Sequence, residues 1–397
     1  MRKTFRLVLA LAIVAAIGPP AALAHHRHGP LVIGHRGSPG YLPDHTLQGY
    51  KLAIENGADF IEPDLVSTKD GVLIARHEPN ITGTTNVSQH PEFKSREHTA
   101  AKGNLISIDG GDPEGGWFAF DFTLKEIKTL RAVQPLAFRS HRFDGKFEVP
   151  TFEEVLDLRE RMSKKVHRRI GVYPETKHPT LHEQLGLPLE AKLVAALKRH
   201  GLNHKNSPVF IQSFEQANLK KLNTMTPVPL VQLVDAWDVA PDGTLVYASS
   251  SLRPYDWTVS NDPVLKSRTY GYFATDAGLR EIRRYADVIS PWKRYIVSSK
   301  AVDLNGDGKI GDENGDGIVG DADRQALPPT DLIQRAHAHG LKIHTWTFRD
   351  EQRFLLSDYR DNPLEEYLQF YGLGIDGVFS DYSGTAVASR YLSELLP

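Results

Sequence analysis

The chain contains no cysteine. It therefore folds without disulfides, which small secreted domains often need and a large apolar core does not, and it carries no lipoprotein cysteine for a lipid tether. Long hydrophobic runs are also missing. The longest, residues 7–17, follows Arg2, Lys3 and Arg6 and precedes Pro19, Pro20 and the small-residue site Ala22-Leu23-Ala24. Its eleven residues fall short of the roughly 20 that a spanning helix requires, and the pattern predicts a signal peptide over residues 1–24. That predicts export, to a periplasm or outside the cell, with no stable membrane anchor. There is no basic excess either: removing the leader takes away three basic residues and no acid, moving the formal charge from −2 to −5. Nucleic acid is thereby excluded as a partner, because nonspecific binding depends on concentrated Lys and Arg. The 397 residues, 40% hydrophobic and 24% charged, suit one large barrel or two modest domains.

What the sequence does have is concentrated between Leu31 and His77. Leu31-Val32-Ile33 is a short apolar run that reaches His35-Arg36 just before the turn residues Gly37, Ser38, Pro39 and Gly40, so an imidazole and a guanidinium stand where a buried strand emerges. About a helix later a second strand carries Glu62 and Asp64, which alternation places on one face. Two carboxylates so placed repel unless a cation or a proton lies between them. A third apolar run ends at His77. From Leu31 onward the chain alternates β-like runs (31–35, 60–66, 170–175, 209–214, 230–234, 288–292, 342–348 and 377–382) with helical patterns at 47–55, 152–163, 189–200, 215–222, 277–286, 331–338 and 364–371. Eight such repeats predict an α/β fold, a (β/α)8 barrel over residues 25–397, whose functional residues gather at the C-terminal strand ends. Two stretches interrupt it: a loop-rich insertion at 78–150, with one helix-like piece at 124–130, and an acidic insertion at 303–323 before the seventh strand.

His35-Arg36-Gly37, then Gly57-Ala58-Asp59 with Ile61-Glu62-Pro63-Asp64, then Thr68, Asp70-Gly71-Val72 and His77 resemble the glycerophosphodiester phosphodiesterase family. Further matches are Pro174-Glu175-Thr176-Lys177, Gln212-Ser213-Phe214, Trp346-Thr347 and Gly374-Ile375-Asp376-Gly377-Val378-Phe379-Ser380-Asp381. The resemblance implies the same barrel and hydrolysis of glycerophosphodiesters to sn-glycerol 3-phosphate and an alcohol. Such a reaction must neutralise the diester's charge, deprotonate a nucleophile and protonate the departing oxygen. Glu62, Asp64 and Glu175 can hold one divalent cation, and oxygen-only ligation favours Ca²⁺ or Mg²⁺, with Ca²⁺ preferred. Arg36 and Lys177 add positive charge for the phosphate. His35 and His77 are the acid–base pair, as their counterparts are in the family; which is acid and which is base stays open. Glu78 follows His77 where the family commonly has Asp, and Pro43-Asp44-His45-Thr46 replaces its more frequent Pro-Glu-Asn-Thr. Asp44 either anchors Arg36 and the metal shell or belongs to a helix N-cap. Gln212, Ser213 and Phe214 shape the pocket. Trp346 is either an apolar wall for the glycerol moiety or a core residue, and Asp381 is either a catalytic accessory or, as preferred, a carboxylate that orders its neighbours at the eighth strand. The remaining histidines, His337, His339 and His344 among them, lack metal spacing.

The acidic insertion resembles EF-hand-like and dockerin-like calcium loops. Asp303, Asn305 and Asp307 stand at positions one, three and five of one copy; Asp312, Asn314, Asp316 and Asp323 form a second, overlapping copy. The first has Asn314 in its twelfth place, so ligands shared between the copies are expected around a structural Ca²⁺. Two rival readings accompany the phosphodiesterase. One is a phospholipase D-like or lysophospholipase D-like enzyme on the same barrel, which needs an exposed apolar mouth; Gly116-Trp117-Phe118-Ala119-Phe120 is the candidate. The other is a non-catalytic, calcium-dependent binding protein.

Overall fold

The computed structural model describes residues 29–396; the expected signal peptide lies outside the described residues. Eight barrel strands follow in chain order: β1 (Leu31–Gly34), β2 (Phe60–Ile61 and Asp64–Ser67), β3 (Gly171–Val172 and Glu175–Thr176), β4 (Ile211–Ser213), β5 (Leu230–Val234), β6 (Val288–Pro291), β7 (Lys342–Phe348) and β8 (Gly377–Ser380). Each pairs in parallel with the next, and β8 returns to β1 through Leu31–Gly377 and Ile33–Phe379, so the ring closes. The expected second and third strands are each broken in two. Proline is the cause: Pro63 and Pro174 have no N–H to give the ladder, although their carbonyls still accept from Glu175 N (3.0 Å) and Gln212 N (2.9 Å).

The strands are joined and covered by α1 (Leu47–Glu55), α2 (Phe152–Lys165), α3 (Glu190–Arg199), α4 (Gln216–Asn223), α5 (Asp276–Ile282), α6 (Leu332–Ala338), α7 (Pro363–Gly372) and α8 (Ser383–Leu395). Thr46 caps α1 by accepting from Gly49 N (3.1 Å), and Thr151 with Glu154 forms a capping box on α2. The helix α8 completes the eighth repeat and escapes the periodicity reading, because the face it buries is Ser383, Ala386, Ser389 and Arg390 rather than a row of large apolar side chains. Arg390 instead ties it to the barrel, donating to Pro30 O (2.9 Å).

Inside the barrel, period two sorts the side chains by height. The lower layer is apolar: Ile33, Phe60, Tyr173, Phe210, Val231, Val288 and Phe379 pack together. Two residues further along the same strands stand His35, Glu62, Glu175, Gln212, Leu233, Ser290 and Asp381. The strand alternation that fills the floor thus delivers a polar ring to the C-terminal mouth.

The insertion after β2 is a packed unit with its own apolar cluster rather than open loops. Ile81, Val87, Phe93, Trp117, Phe122, Ile127 and Leu130 bury one another against Val66 and Ile74, and its α-helix is limited to Leu124–Ile127. This removes residues 116–120 as the candidate apolar mouth of the phospholipase D-like alternative. Trp117 is 5% exposed and Phe118 fully buried, and the Trp117 indole donates to Phe93 O at 2.8 Å. Arg76, fully buried, clamps the unit to the barrel through Thr84 O (2.9 Å) and Asp44 O (2.5 Å). The acidic insertion is the tip of an antiparallel hairpin, Ser299–Ala301 with Arg324–Ala326, and Asp321 fastens it to buried Arg294 (2.7 Å). No helix among the described residues is long and apolar enough to cross a membrane.

Candidate active site

At the mouth lies a cavity of ≈ 300 Å³ lined by His35, Arg36, Glu62, Asp64, His77, Glu175, Lys177, Phe214 and Trp346. All nine residues expected to act on the phosphodiester therefore meet in one place. The turn after β1 makes this geometry. Arg36 and Gly37 both have positive φ (51° and 96°), and a Cβ on Gly37 would stand 2.8 Å from the Gly49 backbone. Only glycine lets the chain reverse so tightly against α1, and the reversal aims the Arg36 amide at Glu62 Oε2 (2.9 Å).

Glu62, Asp64 and Glu175 bring ligand oxygens within 4.8 Å of one another, all buried. Each is oriented by a neighbour: Glu62 Oε1 accepts from Gln212 Nε2 (2.6 Å), Asp64 Oδ2 meets His45 Nε2 (3.1 Å), and Glu175 Oε1 lies 3.3 Å from Lys177 Nζ. Burial, then the charges of Asp64 and Glu175, pushes the Glu62 carboxyl well above its ordinary value, and burial leads the forces that push Glu175 up to about 8. Burial would raise Asp64 too, but His45, His77 and Arg36 hold it far below the usual carboxylate range. Its Oδ1 is buried without a partner. Three crowded carboxylates with an orphaned oxygen fit a divalent cation, and the all-oxygen donor set fits Ca²⁺ or Mg²⁺.

Each histidine is backed by a carboxylate. His35 Nδ1 donates to Asp381 Oδ1 (2.5 Å) and turns Nε2 toward Glu62 Oε2 (3.9 Å). His77 Nδ1 donates to Glu78 Oε1 (3.0 Å), and its Nε2 lies 3.4 Å from Lys177 Nζ. Burial, then the nearby Arg36, lowers both imidazoles from their ordinary value, with Asp381 and Glu78 opposing. Asp381 orders its surroundings at the end of β8. Besides His35 it accepts from Arg139 Nη2 (2.5 Å) and Arg349 Nε (3.0 Å), and His35 with these arginines overcomes the effect of burial and keeps it ionised. Asp44 reaches Arg36 Nη1 (3.4 Å), while Thr46 does the capping. Trp346 is half-buried on the cavity wall, its indole donating to Ser290 O (2.9 Å), with Phe214 edge-on at 5.9 Å.

Four contributors escape the sequence reading. Arg139 and Arg349 lie on irregular segments with no period to place them. His45 is fully buried behind Asp64; the only sign of it is its position beside Asp44. Asp235 follows β5 on the inward row of Val231 and Leu233, so period two, applied there, points to it. His344, fully buried, bonds Tyr173 Oη (2.8 Å) beneath the site.

The acidic tip is organised around its own backbone. Asp303 accepts from Gly306 N (2.6 Å) and Gly308 N (2.8 Å), and Asp312 from Asp316 N (3.0 Å) and Gly317 N (2.8 Å). Asn305, Asp307, Asn314 and Asp316 each accept from the backbone two residues on. Glu313 closes the first copy on Leu304 N and Gly311 N (both 2.8 Å) as Asp323 closes the second on Glu313 N (2.7 Å) and Gly320 N (2.8 Å). The closing acid of the first copy is thus Glu313, one place before Asn314. Among the described residues no three acidic or histidine side chains of this loop converge as those of the barrel mouth do.

Residues 35–385 match the model of the glycerophosphoryl diester phosphodiesterase family. A glycerophosphodiester phosphodiesterase of Arabidopsis thaliana, GDPD6, is 33% identical over 93% of this chain and 88% of its own length; one from Haemophilus influenzae is 25% identical over 90% and 88%. Among solved structures, a phosphodiesterase of Oleispira antarctica in complex with the product sn-glycerol-3-phosphate superposes with a TM-score of 0.54 at 17% identity, covering 91% of this chain and 96% of that one. That likeness concerns the barrel. With the family match running from His35 to the start of α8, the chain belongs to the glycerophosphoryl diester phosphodiesterase family.

Proposed function

We propose that the chain hydrolyses glycerophosphodiesters to sn-glycerol 3-phosphate and an alcohol, using His35 and His77 as acid and base beside a divalent cation on Glu62, Asp64 and Glu175. The observation that carries this reading is the carboxylate triad flanked by two imidazoles, each of which gives its Nδ1 proton to a carboxylate and presents Nε2 to the cavity. Arg36 and Lys177 neutralise the phosphate, and Phe214 with Trp346 forms the apolar wall for the glycerol carbons. One imidazole takes the proton of the attacking oxygen and the other gives a proton to the departing alkoxide; Asp381 and Glu78 hold the rings in the tautomer this exchange needs. A bound cation supplies Lewis-acid neutralisation of a phosphate oxygen. The family relation and the buried, oxygen-only triad support the reading, and Ca²⁺ is the ion proposed. The acidic tip is proposed to bind a structural Ca²⁺, on its two overlapping Asp/Asn repeats, and export is proposed on residues 1–24.

The test is glycerol 3-phosphate release from a panel of glycerophosphodiesters by protein stripped of metal and resupplied with Ca²⁺ or Mg²⁺, beside His35→Ala and Glu62→Gln. Release restored by metal and lost in His35→Ala is the expected result. Release that persists in the stripped protein, or in His35→Ala, refutes the mechanism.

A further inference from the structure

The cavity lining has two chemically opposite parts. One, the inner end, holds the triad with Arg36, Lys177 and Arg349; the other is a wall of Asp109, Glu215, Asp235 and Tyr270, with Asp235 near enough to feel the Lys177 charge. Asp235 points inward one step above Leu233 and accepts from Ser251 Oγ (2.5 Å) and Ala236 N (2.8 Å). Glu215 follows β4 and is 3% exposed. Its Oε2 accepts from Thr180 N (3.1 Å) and from the Thr180 hydroxyl, its Oε1 is buried without a partner, and the residue lines the cavity. Asp109 comes over from the large insertion and accepts from Gly111 N (3.1 Å). Among the described residues none of these three carboxyls is paired with a Lys, Arg or His, whereas Asp64, Glu78 and Glu175 at the inner end all are.

Aromatic surface lies between the two parts. Phe214 sits beneath Lys177 Nζ (5.5 Å to the ring centroid) and meets Tyr270 edge-on at 6.0 Å and Trp346 at 5.9 Å. Tyr270 stands among the acids: burial first, then the charges of Asp235, Asp256, Glu215 and Asp109, raises its phenol well above the ordinary value. Carboxyls without a cation of their own, set beside aromatic rings, form a surface that holds a small organic cation.

We propose that this wall binds the leaving alcohol of the diester and selects a cationic one, an ammonium or trimethylammonium alcohol, with Asp235, Glu215 and Tyr270 as its specificity-determining residues. In such a diester the anionic phosphate and the cationic nitrogen are two carbons apart, so one molecule meets Arg36 and Lys177 with one end and Asp235 with the other. A neutral polyol would leave the carboxyls buried and unpaired, which disfavours it. The inference rests on the phosphodiesterase reading above.

The experiment compares kcat/KM for glycerophosphocholine with that for its neutral isostere, the 3,3-dimethylbutyl diester, and for glycerophosphoglycerol. The wild type is expected to favour the choline diester over the isostere by about tenfold or more, the size of one desolvated charge contact. Asp235→Asn is expected to bring that ratio close to one, and Glu215→Gln is an independent variant should the first fail to fold. Equal values for the choline diester and its isostere in the wild type, or an unchanged ratio in both variants, overturn the cationic subsite. Absence of release from all three diesters overturns the phosphodiesterase reading itself.

Discussion

Replacing Glu175 with Gln should stabilise the metal-free protein at neutral pH while weakening its hold on a divalent cation. Glu175 is 5% exposed, and burial pushes its carboxyl from 4.5 up to about 8. A carboxyl raised on folding favours the folded state below its ordinary value and loses that contribution as pH climbs to the folded value. Between pH 4.5 and 7 the folded protein keeps a proton that the unfolded chain has released, which at about 1.4 kcal/mol per pH unit removes roughly 3 kcal/mol of stability. In chelator, the wild-type melting temperature should therefore fall between pH 5 and 8, and Glu175→Gln should flatten that slope because its amide does not titrate. A divalent cation should reverse the ranking: at a hundredfold excess over its Kd it returns about 2.7 kcal/mol to the wild type, and less to the variant. The assay is thermal denaturation across pH with and without Ca²⁺ or Mg²⁺, paired with calorimetric titration of the ion. A wild-type curve flat in pH without metal, or a variant that binds the ion as tightly as the wild type, would refute the reasoning.

Arg139→Ala removes a buried cation from Asp381 and should lower kcat by about tenfold or more with little change in KM, since the residue acts through the His35 pair; steady-state kinetics with retained melting temperature checks it, and a pure KM effect would place Arg139 on the substrate instead. Gly37→Ala forces a Cβ to within 2.8 Å of the Gly49 backbone at φ 96°, so a loss of about 2 kcal/mol or more in urea denaturation is expected. Trp117→Ala should cost about 3–5 kcal/mol as a core truncation and leave sedimentation with phospholipid vesicles unchanged, whereas a drop in vesicle binding with intact stability would restore an apolar mouth.

The barrel was legible because its signals are local. Strand, turn and helix follow one another within a few dozen residues; alternation identifies the triad along β2 and β3, and His35 and His77 stand just past the short apolar runs 31–34 and 73–75. The broken strands were legible too, had Pro63 and Pro174 been read as missing donors rather than as members of the run. The supports of the site were less accessible, because what makes Arg139 part of it is a contact with Asp381, 242 residues away, and nothing within its own segment marks it. The insertion's burial of Trp117 and Phe118 was hidden for the same reason: an aperiodic stretch with scattered aromatics reads as loop until its own small core is assembled.

Period two forces Glu62 and Asp64 onto one face and sets Glu175 against Asp64 in register, so the packing rule that closes the apolar floor also concentrates negative charge at the mouth. Stability alone would not select that arrangement. The surrounding groups respond to it: Arg36 and His45 from the loop after β1, and Lys177 from the end of β3, meet these oxygens, and still Asp64 Oδ1 has no partner. A triad that three basic groups leave incompletely satisfied is one whose charge is completed by a cation, and this is why stability and catalysis in this protein should depend on the same ion.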